Sequence, residues 1–219
     1  MKQNRSNLGL EKPSRSTYRH GDLRRALLNA GIELARAGGP GAVVLREATR
    51  RAGVAPNAAY RHFANRNALL MAVRASALSA VARAMEAELQ TISADLPHAG
   101  MARASVRAIG QGYLRFAMNE PGLFCTAFGL SDKQMQSTPE LPTGGDSGLN
   151  PFELLGAALD ELVAAGIMLP RRRAGAEYLA WSAVHGLAML VVDGPLASVI
   201  EPQLAQISQR LLDMVEKGL

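Results

Sequence analysis

Apolar residues recur along this chain with the spacing of a helix, and glycine and proline interrupt the pattern at intervals. Leu23, Leu27, Ala30 and Leu34 would lie on one face of a first helix, which the Gly-Gly-Pro-Gly segment at 38–41 ends. Comparable stripes follow to the end of the chain, and no segment shows the alternation of a strand or the rhythm of βαβ units. The sequence therefore predicts an all-α fold of about nine helices.

The breaks between the stripes also predict how the chain is divided. Residues 1–17 are polar and basic without periodicity, which is typical of a flexible arm. An N-terminal three-helix domain at 18–66 and a larger helical domain at 67–219 are expected to follow. Residues 131–151 contain three prolines and three glycines and are predicted to form a loop. The predicted helices occupy approximately residues 21–37, 45–52, 56–63, 65–92, 101–120, 123–129, 152–165, 174–193 and 204–215.

Charge is distributed unevenly along the chain. Residues 1–74 contain 14 basic and 4 acidic side chains, a formal charge of +10, whereas residues 75–219 contain 10 basic and 15 acidic side chains, a charge of −5. A basic unit joined to an acidic one suggests that only the N-terminal third meets a polyanion. A membrane-binding segment would need apolar anchors beside its basic residues, but the only tryptophan, Trp181, lies far away in sequence. Nucleic acid is therefore the favoured partner of the N-terminal third.

Composition excludes several other classes of protein. The single cysteine, Cys125, excludes an intramolecular disulfide framework and a multi-cysteine metal centre, which favours a reducing, cytoplasmic location. No stretch reaches about 18 uncharged apolar residues, so no membrane-spanning helix is expected. The four histidines are isolated and no catalytic or phosphate-loop motif occurs, so the sequence predicts neither an enzyme nor a metal site or cofactor.

The segment at 45–63 has the features of a helix-turn-helix. Gly53 separates two short helical stretches and supplies the positive φ that a tight turn between helices needs. Val54 and Ala59 are small apolar residues that would hold the two helices together. In such a motif the N-terminal residues of the second helix face base edges in the major groove of DNA.

These positions predict base contacts for some residues after that turn and phosphate contacts for others. Asn57 is expected to hydrogen-bond a base edge, with adenine its natural partner, while the neighbouring Pro56 and Ala58 offer apolar contact. One turn later, the polar groups of Tyr60, Arg61 and His62 suit phosphate oxygens. Arg66, at the start of the next helix, is expected to hold a further phosphate.

Residues 20–70 resemble the DNA-binding domain of the tetracycline repressor (TetR) family of regulators. The resemblance is carried by the Tyr-Arg-His-Phe block at 60–63, followed by a basic residue and Leu69-Leu70. It places the first helix of the motif at Leu45, which is included in the expected DNA interface although threonine is frequent there. Ala55 replaces the serine that usually caps the second helix, a cap worth about 1 kcal/mol.

The C-terminal half is similar to the regulatory domain of one subgroup, named for its Trp, His and Gly residues. Its marks are Pro121-Gly122-Leu123-Phe124 and the Trp181-Ser-Ala-Val-His185-Gly186 segment. The resemblance implies a homodimeric repressor that binds a palindromic operator. Its two subunits would pair through their last two helices, at about 176–217. It also implies a small-molecule effector, expected to be apolar or aromatic, that releases the DNA. Candidate pocket residues are Tyr113, Phe116, Phe124, Phe128, Trp181, His185 and Met189.

Two other functions remain open at this point. An effector-independent DNA-binding protein would have the same basic head but a sealed C-terminal domain without a cavity. A helical enzyme or carrier with an incidental basic end would show no sequence-specific DNA binding.

Overall fold

The computed structural model describes residues 20–129, 141–196 and 201–219, and these residues form helices without any strand. The all-α prediction is thereby confirmed. The arm predicted at 1–17 lies outside the described residues, as do residues 131–140 of the predicted loop. In chain order the helices are α1 (His20–Ala42), α2 (Leu45–Arg51), α3 (Pro56–Ala59), α4 (Arg66–Leu89), α5 (His98–Asn119), α6 (Pro121–Phe128), α7 (Pro151–Ala164), α8 (Pro170–Arg173), α9 (Ala176–Val192) and α10 (Leu204–Gly218), with a 3-10 turn at Glu201–Gln203.

The first three helices, here called the head, contribute their apolar side chains to a core that continues into the rest of the molecule. Leu27, Val43 and Ala48 are fully buried there. The break predicted in α1 is present, since Gly38 and Gly39 leave the helical conformation and Gly39 adopts a φ of 66°. The backbone then returns to helix for one turn before α2, so the glycines redirect the chain without a long loop.

Helix α4 connects the head to the rest of the molecule. Its predicted cap is confirmed, because the Asn65 side chain accepts a hydrogen bond of 2.9 Å from the Ala68 N–H. The helix is long and apolar enough to cross a membrane by length and composition, with 56 % of its apolar window buried inside the molecule. Here it packs against α1, α5, α6 and α7 as the central helix of the fold.

Helices α4 to α7, α9 and α10 form the larger domain. Close approach of α4 and α5 requires Gly112, because a Cβ there would lie 2.5 Å from the Ala84 carbonyl oxygen and 2.6 Å from the Met85 Cα. Gly110 similarly makes room for the Leu212 side chain of α10. The larger domain therefore rests on backbone contacts that only glycine permits.

Two boundaries differ from those predicted. The second helix of the motif ends at Ala59 rather than Phe63, because the N–H groups of His62 and Phe63 both donate to the Ala59 carbonyl at 2.9 Å and close the helix in a turn. Residues 170–173, which precede the helix predicted at 174–193, form the one-turn helix α8, which begins at a proline suited to a first helical turn.

The α4–α5 contact generates a testable expectation. The substitution Gly112→Ala places a methyl group against the α4 backbone, and overpacking of this kind costs about 1–3 kcal/mol. We expect the melting temperature to fall by several degrees. Gly100→Ala, in the same helix, meets only ordinary contacts of 3.5 Å or more and serves as the control. Equal melting temperatures for the two variants would contradict the proposed role of Gly112.

Candidate DNA-binding surface and ligand cavity

Helices α2 and α3 meet at the tight turn that the sequence predicted. Gly53 adopts a φ of 67°, and the Val54 N–H donates to the Thr49 carbonyl at 3.1 Å. Thr49 is itself buried and donates its hydroxyl to the Arg46 carbonyl at 2.6 Å. Ala59 is fully buried between the two helices. These contacts fix the orientation of α3 relative to α2.

The short helix α3 presents its N-terminal end to solvent. Pro56 and Asn57 are exposed and Ala58 is half-buried, while no side chain caps the helix, in keeping with alanine at position 55. In the turn that follows, the Tyr60 side chain is 58 % exposed and Arg61 is also exposed. The residues expected to meet bases and phosphates therefore share one accessible surface, with His62 half-buried at its edge.

Leu45 does not belong to that surface, contrary to the sequence-based expectation. Its side chain is only 6 % exposed and forms part of the core of the head. It opens α2 directly after the exposed Val44, and the helical turn directs it inward. A buried leucine side chain does not reach a DNA backbone.

Arg66 has a structural role that the sequence did not predict. Its Nε donates to the Val43 carbonyl at 2.7 Å and its Nη2 to the Pro40 carbonyl at 2.6 Å. The first residue of α4 is thereby tied to the chain between α1 and α2. The guanidinium remains exposed, so its expected contact with a phosphate stays a prediction beside this structural role.

Ion pairs shape the charge near the motif. Glu47 accepts from Arg50 at 2.7 and 2.8 Å and from Arg51 at 3.2 Å. The hydrogen bonds from Arg50, and then those from Arg51, lower the pKa of the Glu47 carboxyl to about 2. Part of the positive charge of α2 is thus neutralised within the helix. Across the head, the Arg24 guanidinium lies 5.3 Å from the centre of the Phe63 ring, a cation–π contact.

The larger domain encloses a cavity of about 290 Å³. Helices α4, α5, α7, α9 and α10 form most of its wall, which is predominantly apolar, as is typical of sites for small organic molecules. The residues that line it are Arg74, Leu78, Met85, Val106, Arg107, Ile109, Gly110, Tyr113, Phe128, Thr143, Asn150, Pro151, Phe152, Leu155, Ala180, Trp181, Val184, Leu212, Val215 and Glu216.

Of the candidate pocket residues, Tyr113, Phe128 and Trp181 line this cavity. The other four do not line it: Phe116, Phe124, His185 and Met189. Phe124 is fully buried behind the wall, with its ring centre 5.4 Å from that of Tyr113. Aromatic residues were predicted for the pocket because they are apolar, and the same property places Phe116 and Phe124 in the core instead.

His185 supports the wall through a chain of hydrogen bonds. The Tyr113 hydroxyl and His185 Nδ1 form a hydrogen bond of 2.8 Å, and the same hydroxyl accepts from the Trp181 Nε1–H at 3.1 Å. Burial raises the pKa of the Tyr113 hydroxyl, which therefore keeps its proton. Burial lowers the pKa of His185, which favours the neutral imidazole. The chain fixes the orientation of two rings that face the cavity.

A carboxylate holds the segment that closes one side of the cavity. Glu86 of α4 accepts from the backbone N–H groups of Asp146 at 2.8 Å and Ser147 at 3.0 Å, and from the Ser147 hydroxyl at 2.6 Å. Burial alone would raise the pKa of Glu86, but these hydrogen bonds outweigh it and the pKa is lowered. The neighbouring residues Thr143 and Asn150 line the cavity, so Glu86 fixes part of its wall.

Sequence reasoning missed the charged residues of the wall. Arg107 of α5 pairs with Asp213 and, at 3.1 Å, with Glu216 of α10. Arg74 lies in an apolar stretch of α4, and an arginine inside such a stretch was the available signal. Within the parts of the chain that the structure describes, no group of three or more His, Cys, Asp or Glu side chains is arranged to hold a metal ion.

Family models match both halves of the chain. The model described as "Bacterial regulatory proteins, tetR family" matches residues 27–73, and "Tetracyclin repressor-like, C-terminal domain" matches residues 106–215. A comparison with curated protein sequences finds no match.

Several solved structures have a similar fold. A protein of unknown function from Rhodococcus sp. RHA1 is 25 % identical, with a TM-score of 0.70 over 93 % of this chain and 98 % of that one. FadR from Bacillus subtilis in complex with stearoyl-CoA is 16 % identical, with a TM-score of 0.61 over 89 % and 98 %. A TetR variant from Acinetobacter baumannii AYE in complex with minocycline is 16 % identical, with a TM-score of 0.52 over 88 % and 93 %.

The buried imidazole predicts a pH dependence of stability. Because the folded state lowers the pKa of His185 from 6.5, its contribution to stability is present above pH 6.5 and is lost as the pH falls toward the lower, folded-state value. In His185→Gln the side-chain oxygen still accepts from Tyr113 but does not titrate. We expect the melting temperature of the unsubstituted protein to fall more steeply than that of His185→Gln between pH 6.5 and 5. An equal fall in melting temperature for the two proteins between pH 6.5 and 5 would refute the assignment of this pH dependence to His185.

Proposed function

This chain belongs to the TetR family of bacterial transcriptional regulators, and from that premise we propose that it is a repressor that binds a palindromic operator as a homodimer and is released by a small molecule. The family is one of DNA-binding regulators and not of enzymes. The observation that carries the ligand-responsive part of the proposal is the cavity beside α4, the helix that also joins the head. Such a function places the protein with the DNA, in the cytoplasm.

The DNA-binding part of the proposal assigns roles to exposed and half-buried residues of α3, of the turn that follows it and of the start of α4. Asn57 reads a base edge, because its amide stands at the exposed start of α3. Pro56 and Ala58 flank it and offer apolar contact to bases. Tyr60, Arg61 and His62 contact phosphates from the following turn. Arg66 holds the head to α4 and so positions this surface without reading the sequence.

The homodimer is proposed to form through α9 and α10, at about 176–217. Tyr178, Leu179 and Leu190 of α9 and Met214 of α10 are large apolar side chains between 44 % and 70 % exposed. Several large exposed apolar side chains on two neighbouring helices are typical of an interface. A two-fold dimer would present two heads to a palindromic site.

Two routes lead from the cavity to the head. Helix α4 begins at the Arg66 tie and carries Arg74, Leu78 and Met85 into the cavity wall. Helix α6 carries Phe128 into the same wall, while its Gly122 packs so closely on Ala35 of α1 that no Cβ fits between them. An effector that binds more tightly to the form unable to bind DNA would shift the population toward it.

The cavity also bears on the rival function. An effector-independent DNA-binding protein would need no internal space, and unfilled apolar space costs stability. The retained cavity therefore favours a ligand-responsive regulator.

Operator selection from pooled oligonucleotides tests the function directly. We expect enrichment of one palindromic sequence, with the spacing of its half-sites set by the dimer. The variant Asn57→Ala should lose discrimination at one base pair of each half-site, by about 1–3 kcal/mol per contact. The absence of an enriched sequence would contradict the repressor hypothesis. An unchanged base preference in Asn57→Ala would contradict the role of Asn57.

Removal of a phosphate contact should act differently from removal of a base contact. Arg61→Gln should weaken binding to selected and random DNA by similar factors and reduce the slope of log affinity against log salt by about 1. Arg171→Gln removes an equally exposed cation from α8, far along the chain, and should leave both quantities unchanged. Fluorescence anisotropy titrations at several salt concentrations measure the slopes, and identical slopes for the two variants would exclude Arg61 from the interface.

A further inference from the structure

One arginine of the cavity wall has no acidic partner within the part of the chain that the structure describes. Arg74 of α4 lines the cavity, and its Nε is buried without a hydrogen-bond acceptor. Among the described residues, no acidic side chain forms an ion pair with it. Arg107, in the same wall, differs because it donates to Gln209, Asp213 and Glu216. The two arginines of the cavity are therefore in opposite situations.

The Arg74 side chain is half-buried, and a buried Nε–H without an acceptor is costly. Removing a polar N–H from water without a replacement hydrogen bond costs about 1–3 kcal/mol, and more for a charged group. Burial lowers the pKa of Arg74, in keeping with this loss of hydration, but an arginine remains charged at neutral pH. An anion placed in the cavity would satisfy both the charge and the free N–H groups.

The remaining wall restricts the rest of the ligand. Arg107 and Glu216 neutralise each other, and the Asn150 side chain already accepts from the N–H groups of Phe152 and Glu153. Most other lining groups are aliphatic or aromatic. The volume of about 290 Å³ lies at the lower end of the usual range for ligand sites, which favours a compact molecule.

We propose that this cavity binds a compact apolar carboxylate whose anionic group pairs with Arg74. The identification of that molecule as the effector rests on the proposed function, whereas the binding itself does not. Arg74 lies eight residues after the Arg66 tie, about 12 Å along the same helix, so the anion would act directly on the helix that holds the head.

Matched acids and amides test this proposal with the full-length protein. Decanoate and decanamide share an aliphatic body, 3-phenylpropionate and its amide share an aromatic one, and only the acids carry charge. We expect at least one acid to bind about ten- to a hundredfold more tightly than its amide in isothermal titration calorimetry. Trp181 is the only tryptophan and lines the cavity, so a change in its emission would locate the bound acid there.

Variants at position 74 connect the preference to one side chain. Arg74→Gln should bind acid and amide equally, and Arg74→Lys should retain part of the preference because it keeps the charge. Arg83→Gln removes an exposed cation from the same helix outside the cavity and should behave as the unsubstituted protein. Because Arg74 is unpartnered, Arg74→Gln without ligand should melt at or above the original temperature.

The outcomes separate this proposal from the proposed function. Equal affinity for acid and amide in the original protein, or an acid preference that survives in Arg74→Gln, would overturn the anion site. Operator binding measured on the same preparations reports on the function independently. An acid that binds through Arg74 to a protein without specific DNA binding would leave the site standing and remove the repressor hypothesis.

Discussion

The tie between Arg66 and the carbonyls of Pro40 and Val43 is the interaction on which the arrangement of this molecule depends. It joins the first residue of α4 to the segment between α1 and α2, where charged hydrogen bonds replace water at otherwise free carbonyls. The Asn65 cap sets the start of the helix one residue earlier. Because α4 continues without interruption to Leu89, the Arg66 tie and the cavity-lining residues of α4 lie on one continuous helix.

Backbone-to-backbone packing joins the helices around the cavity to one another and to the head. Gly112 allows α5 to contact the α4 backbone, and Gly122 allows α6 to contact the backbone of α1. At such contacts no flexible side chain lies between the helices to absorb a shift, and interiors packed this closely transmit strain. Under the proposed function, a shift at the cavity would therefore reach the head through these contacts.

Much of the fold could be predicted from the sequence because the signals were local. The Gly38–Gly39 break, the Gly53 turn and the Asn65 cap each depend on one residue and its immediate neighbours, and each is present. Errors arose where tertiary contacts decide. Leu45 was expected at the DNA surface from its position in a motif, and its burial depends on the packing of α2 against α1 and α3. The ties made by Arg66 span more than 20 residues and leave no local pattern.

The cavity shows why a pocket is harder to predict than a core. Phe124 and Phe128 lie one helical turn apart on α6 and are chemically identical, yet only Phe128 lines the cavity. His185 likewise lies one turn from Trp181 and holds the Tyr113 hydroxyl from behind the wall. Periodicity identifies the face of a helix that is buried, but it does not distinguish side chains that meet other side chains from those that meet an empty volume. A polar group without a partner is the better indicator, because a folded protein satisfies its buried charges unless a ligand does so. Arg74 meets that criterion. An apolar ring such as that of Phe128 cannot, because it has no hydrogen-bonding group that could be left without a partner.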